Sequence, residues 1–154
     1  MADRNVFTVS FANVAVTAAQ DLFEITAAAG YRLELIDVRF GQISDVGDAA
    51  AEQLGVNITR GKASGSGGSA VTPAAVYAPG RNATSVAERN NTTPGTGGFV
   101  LISDVFNIAA PYLYRPGETE RIVTGPGGRI SIGITAPADS LTMYGSATFA
   151  EIAI

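Results

Sequence analysis

The sequence has no cysteine, no histidine and no tryptophan, one lysine and two methionines among 154 residues. Without cysteine or histidine there is no disulfide scaffold, structural zinc site, haem ligation, thiol nucleophile or histidine general base. Charge is also scarce: 16% of residues are charged, with ten cationic and fourteen acidic side chains and a net charge of -4. With no basic cluster and a pI near 4.7, nucleic acid is not an expected partner, because affinity for phosphates comes mainly from Lys and Arg that release counterions. No apolar run approaches the roughly 20 residues of a membrane span, and Asp3 and Arg4 precede only alternating polar and apolar residues, so neither a membrane partner nor a signal peptide is expected. The chain reads as soluble and made in the cytoplasm. The chemistry left over is that of carboxylates, Arg, Tyr, hydroxyls and Lys62, and no catalytic, cofactor-binding or metal site is expected from it.

What is present is alternation. Phe7, Val9 and Phe11 alternate with Thr8 and Ser10, with Val14 and Val16 close behind, the period-two mark of a half-buried strand. Leu22–Ala27 makes a second run. In Tyr31–Phe40, Tyr31, Leu33 and Leu35 share one face and Ile36, Val38 and Phe40 the next phase, the slip that one extra residue in a β-bulge produces. Leu54, Val56 and Ile58 alternate again. Further strands are expected at 99–105, 112–114, 121–124, 129–135 and 141–152. Pro116-Gly117, Gly125-Pro126-Gly127-Gly128 and Pro137-Ala138-Asp139 punctuate them as turns.

From Gly61 to Gly98 this pattern gives way to Gly, Ser, Thr, Pro, Ala and Asn, with Val71, Ala75, Val76 and Tyr77 hinting at a short extended piece. A stretch that long without periodicity is a functional loop or a partly disordered one. Only 45–54 reads as a helical turn, with Asp45 or Asp48 as N-cap. Eight or nine strands, one long insertion and almost no helix predict a single all-β domain over residues 1–154, an antiparallel β-sandwich or jelly roll with 61–98 as a Gly/Ser/Thr/Asn-rich insertion. The apolar end, Phe149–Ile154, is expected to be pinned in a sheet or an interface.

The motifs that imitate chemistry have simpler readings. Asp45, Asp48 and Glu52 offer oxygens within eight residues, yet their spacing matches no EF-hand, and capping or solvation accounts for them. Gly65, Gly67 and Gly68 have the density of a phosphate cradle, but no GK[ST] follows and no helix is expected there, so a tight loop is the reading. The sequons at Asn57, Asn82 and Asn91 read as ordinary strand and loop residues. Nine of the ten cations are Arg, which fits interface use as well as a GC-rich coding sequence.

Several longer segments resemble small structural proteins of tailed bacteriophages, the head decoration or cement proteins. They are AVTAAQDLFEI from Ala15 to Ile25, Gly41-Gln42-Ile43-Ser44-Asp45, NITRG with SGSGGSAVTP to Pro73, and NNTTPGTGG from Asn90 to Gly98. PGETERIVTGPGGRISIGI from Pro116 to Ile134 and PADSLTMYG from Pro137 to Gly145 complete them. The resemblance implies a non-enzymatic virion protein on the outer capsid surface, present in the host cytoplasm during assembly. It would bridge capsomers of the major capsid protein lattice and self-associate as a homotrimer or homodimer, without nucleic acid or membrane. The insertion 61–98 and the end segments 1–7 and 149–154 are the contact surfaces expected on loop and edge grounds. The alternatives are a tail, neck or fibre module that binds host glycans through Tyr31, Tyr77, Tyr112, Tyr114 and Tyr144, and a carbohydrate-active enzyme with paired acids.

Overall fold

The computed structural model describes residues 4–45 and 52–154. The alternating segments become strands: β1 (Arg4–Val16), β2 (Gln20–Thr26), β3 (Tyr31–Gln42), β4 (Gln53–Arg60), β5 (Ser69–Val71), β6 (Ala74–Ala75), β7 (Val86–Asn91), β8 (Phe99–Asn107), β9 (Tyr112–Tyr114), β10 (Val123–Thr124), β11 (Arg129–Ile134) and β12 (Leu141–Ala153). A 3-10 turn at Glu118–Glu120 precedes β10. Two antiparallel six-stranded sheets result. One has the order β10-β3-β12-β1-β6, with β9 also on β3; the other has the order β5-β7-β2-β11-β4-β8. They form an all-β sandwich around one apolar cluster to which both contribute. Phe11 of β1 meets Phe23 of β2 with ring centroids 5.3 Å apart, and Phe40 of β3 meets Phe106 of β8 edge-on at 5.1 Å. The accessible surface is 7536 Å², close to the roughly 7,300 Å² that surface scaling gives for a folded chain of this mass.

The phase slip in β3 is a bulge. Thr148 of β12 opposes Asp37 while its neighbour Phe149 opposes Leu35, so Ile36 is the extra residue. Leu33 and Leu35 before it and Val38 and Phe40 after it all face the core. A second bulge, in β1, escapes the periodicity: Phe11 pairs with Gly145 and Val14 with Met143, and Asn13 inside it takes a φ of 57°. Asn tolerates that left-handed conformation better than most side chains. At Gly145 the reason for glycine is close approach, since a Cβ there would lie 2.7 Å from the Phe11 ring.

The expected helical turn at 45–54 lies mostly outside the described residues, and Gln53 and Leu54 begin β4. The expected strand at 121–124 shortens to Val123–Thr124, with Ile122 buried just before it. The greater correction concerns the insertion. Residues 61–98 carry three strands and pair with both sheets: β7 lies on β2, β5 on β7, and β6 on β1. They close one edge of the sandwich. At the other edge β8 and β9 succeed each other through a short connection, β8 at the end of one sheet and β9 against β3 in the other. No helix among the described residues is long and apolar enough to cross a membrane.

Candidate functional site

Buried carboxylates hold the insertion down. Asp21 and Glu24 of β2 are three residues apart, an odd spacing that in a regular strand would put them on opposite faces. A register shift between Ile132 and Gly133 of β11 makes Leu22 an extra residue, and both acids then point at the insertion. Lys62 Nζ donates to the two oxygens of Asp21 at 2.6 and 2.9 Å, and Gly95 N donates to the same carboxylate at 2.9 Å. Glu24 accepts from Gly65 N at 2.8 Å and from the Ser64 hydroxyl, with the Arg129 guanidinium 3.5 Å away. A third buried acid, Glu151 of β12, accepts the backbone N–H groups of Thr84 and Ser85. A carboxylate this deep is tolerated because each oxygen meets a cation or an N–H. These three acids therefore fix the insertion from both sheets.

The candidate motifs fall into structural roles. Lys62, next to the glycine run, is engaged by Asp21. Gly65 and Gly68 allow backbone contact: a Cβ on Gly65 would lie 2.6 Å from Thr93 O, and one on Gly68 2.3 Å from Arg89 O. Asp45 N donates to the Gln42 side chain at 2.7 Å, and Glu52 accepts Ala138 N; Asp48 lies outside the described residues. Among the described residues no group of three or more Cys, Asp or Glu side chains is placed to hold a metal ion. Asn57 accepts the Ser103 hydroxyl, and Asn91 is buried between Gly68 N and Glu88, while Asn82 is exposed. On the other sheet, Glu34 is paired with Arg4 and Arg121, and Asp37 with Arg39 and Arg115. A cavity of about 390 Å³ between β1 and the insertion has its polar lining paired internally: Arg89 donates to Ser10 O and Gln20 to Asn90.

The five tyrosines do not gather into one platform. Tyr112 is buried and stacked on Phe40, with centroids 4.8 Å apart. Tyr77 lies beside β6, whereas Tyr144 lines a depression with Arg39, Gly41 and Pro111 on the outer side of β12. The Tyr112 phenol has its pKa pushed from 10.0 up to about 12, first by burial and then by the nearby Asp104 carboxylate. A folded-state pKa above the unfolded one stabilises the fold at pH values below the unfolded pKa, and the contribution is lost as pH rises through the folded one. Alkaline titration followed at 295 nm should show one phenol ionising late, near pH 12. Its stabilisation should fade between about pH 10 and 12, and both features should be absent in Tyr112→Phe.

Of the end segments 1–7 and 149–154, residues 1–3 lie outside the described residues. Phe7 and Phe149–Ile152 are buried within the sheet, and only Ile154 at the end is well exposed. Besides Ile43, Leu113 and Tyr144, the exposed large apolar side chains fall into two groups. On the insertion side they are Val76, Tyr77 and Val86; on β8 they are Phe99, Val100, Leu101 and Val105. These clusters occupy opposite edges of the sandwich, since β5 and β6 end the two sheets on one side and β8 and β9 on the other.

No family model, curated protein or solved structure matches this chain. The geometry is accordingly the main guide to function. It presents a sandwich in which Asp21, Glu24 and Glu151 are matched internally and whose exposed apolar side chains include a group on the insertion and a group on β8. The β8 cluster escaped the sequence reading, because an apolar strand at the end of a sheet has the same composition as one in the middle.

Proposed function

We propose that this chain is a virion structural protein, a capsid decoration or cement protein that binds the outer capsid surface and bridges capsomers. The observation that carries the reading is the pair of apolar clusters on opposite edges of one sandwich. A bridge needs two contact surfaces held at a fixed separation, and a sandwich whose long insertion is tied to both sheets supplies that stiffness. Contacts that are weak singly gain strength when repeated over a lattice. The sequence resemblance to phage head decoration proteins points the same way.

The strand order supports the finer reading of the fold as a jelly roll. With the insertion strands and the two-residue β10 set aside, one sheet runs β1-β12-β3-β9 and the other β2-β11-β4-β8. The first long strand lies beside the last, the second beside the penultimate, and the third and fourth beside those. That is the order obtained by wrapping one long antiparallel hairpin around a barrel, and it is common in viral capsid and lectin domains. Function is argued from the surfaces, since such folds host many roles.

The test is the particle. Images of virions that encode this chain should show density outside the shell at hundreds of copies, and stripping it should lower their resistance to heat and osmotic shock. Absence from mature heads, or unchanged resistance after stripping, overturns the reading. A few to a dozen copies would favour the tail, neck or fibre alternative.

A further inference from the structure

The cavity of about 390 Å³ opens at the edge of the sandwich where β1 lies across from β5 and β7. Its volume falls within the range of small-molecule sites, about 300–1,000 Å³. Two distortions shape it. The β1 bulge contributes Ala12 and Val14, on either side of left-handed Asn13, and Asn90 in β7 is left-handed too, with a φ of 56°. They are the two non-glycine residues of positive φ among the described residues, and such conformations gather at ligand sites.

Arg89 stands beside Phe23 of β2 and Ser69 of β5 in the ladder. Phe23 is a core residue, so the half-buried Arg89 side chain enters the gap between the sheets, where it donates to Ser10 O of β1 at 2.6 Å. No carboxylate lines the cavity. Arg89 has no acidic partner among the described residues, whereas six other cations, Lys62 and Arg129 among them, each meet one. The internal bonds orient the polar lining without exhausting it. A guanidinium has five N–H groups, of which Ser10 O takes one. Gln20, 2% exposed, donates to Asn90 Oδ1 at 3.1 Å, which leaves the Gln20 carbonyl and the Asn90 N–H groups open. The Ser69 and Thr92 hydroxyls complete the rim.

We infer that this cavity binds an acidic saccharide, a pyranose ring carrying a carboxylate, through Arg89. The inference goes beyond the cement reading and does not depend on it. Charge selects an anion, because a guanidinium with no acid of its own is matched by a ligand carboxylate in charge-assisted hydrogen bonds. Size and the spread of polar groups select a polyhydroxylated one. A bare anion would leave most of the cavity empty, whereas sugar hydroxyls both donate and accept, as the amides and hydroxyls of the lining do. The C–H face of the ring has Ala12, Val14 and Ala15 to rest on. A nucleobase finds no ring to stack on, since Phe11, the one aromatic lining residue, is 3% exposed.

Titration of the full chain with D-glucuronate, followed by amide nitrogen–proton correlation spectra, tests this without any particle. Shifts should cluster at 11–15, 67–69 and 89–92, with a Kd of about 1 mM, the strength expected of a ligand of one ring. D-glucose, of the same ring but neutral, should bind about 10-fold more weakly, and so should D-glucuronate to Arg89→Gln. Asn90→Gly keeps the left-handed backbone without strain and removes the amide; affinity should fall several-fold with circular dichroism unchanged. Sodium sulfate should bind more weakly than D-glucuronate. An absence of shifts at about 20 mM, far above that Kd, overturns the inference, as do shifts centred elsewhere or binding indifferent to both variants. Sulfate that binds as tightly as D-glucuronate also overturns it, since the site would then read charge alone. The cement reading fails separately: absence from mature heads would leave these titrations unchanged.

Discussion

Asp21→Ala should lower the unfolding free energy by about 3 to 4 kcal/mol, the range seen when one partner of a buried ion pair is removed. The Asp21 side chain is 1% exposed and that of Lys62 15%. Removing the carboxylate strands the ammonium under the insertion and leaves Gly95 N without its acceptor. A buried donor left unmet costs more than a hydrogen bond contributes when made. Asp21→Asn keeps the shape and one acceptor but loses the charge, so a smaller loss of about 1 to 2 kcal/mol is expected. Urea denaturation gives the free energies. Hydrogen exchange should localise the damage, with amides at 62–66 and 93–97 losing protection first while β11 and β12 keep theirs. An alanine variant within 1 kcal/mol of wild type, with the insertion still protected, would mean that the insertion is held by its strands alone.

The acid locks also explain where sequence reading stops. The strands of the core were legible because burial imposes period two, and even the β3 bulge was, because Leu35 and Val38 are both buried and only an extra residue permits that. The insertion was not. Its longest strand, Val86–Asn91, reads VAERNN, with no apolar face, because it is fixed by hydrogen bonds to β2 and by carboxylates whose partners lie far along the chain. Lys62 and Asp21 are 41 residues apart, and Ser85 and Glu151 are 66 apart. Periodicity reports faces and is silent on such pairings. A weaker signal existed: Asp21, Glu24 and Glu151 stand inside the apolar runs DLFEI and ATFAEIAI, and an acid within such a run either breaks it or is buried with a partner. The opposite failure occurs at β8, where FVLI has the composition of a core strand. Only the sheet order, with β8 last, turns those side chains to solvent.

Phe106→Ala carries the second large effect. Phe106 is the one buried residue of β8, and it is 1% exposed against Phe40, which is itself stacked on Tyr112. Truncating a buried Phe removes its transfer free energy and leaves a cavity, together about 3 to 5 kcal/mol. The site lies at the edge of the sandwich, so β8 is freer to detach than to collapse onto the gap. Amides across 99–107 should lose protection before the rest of that sheet, and the Tyr112 phenol, no longer covered from that side, should titrate closer to its ordinary value of 10.0. Phe106→Leu fills most of the volume and should cost about 1 kcal/mol. If Phe106→Ala destabilises by less than 1 kcal/mol, β8 is held by its ladder to β4.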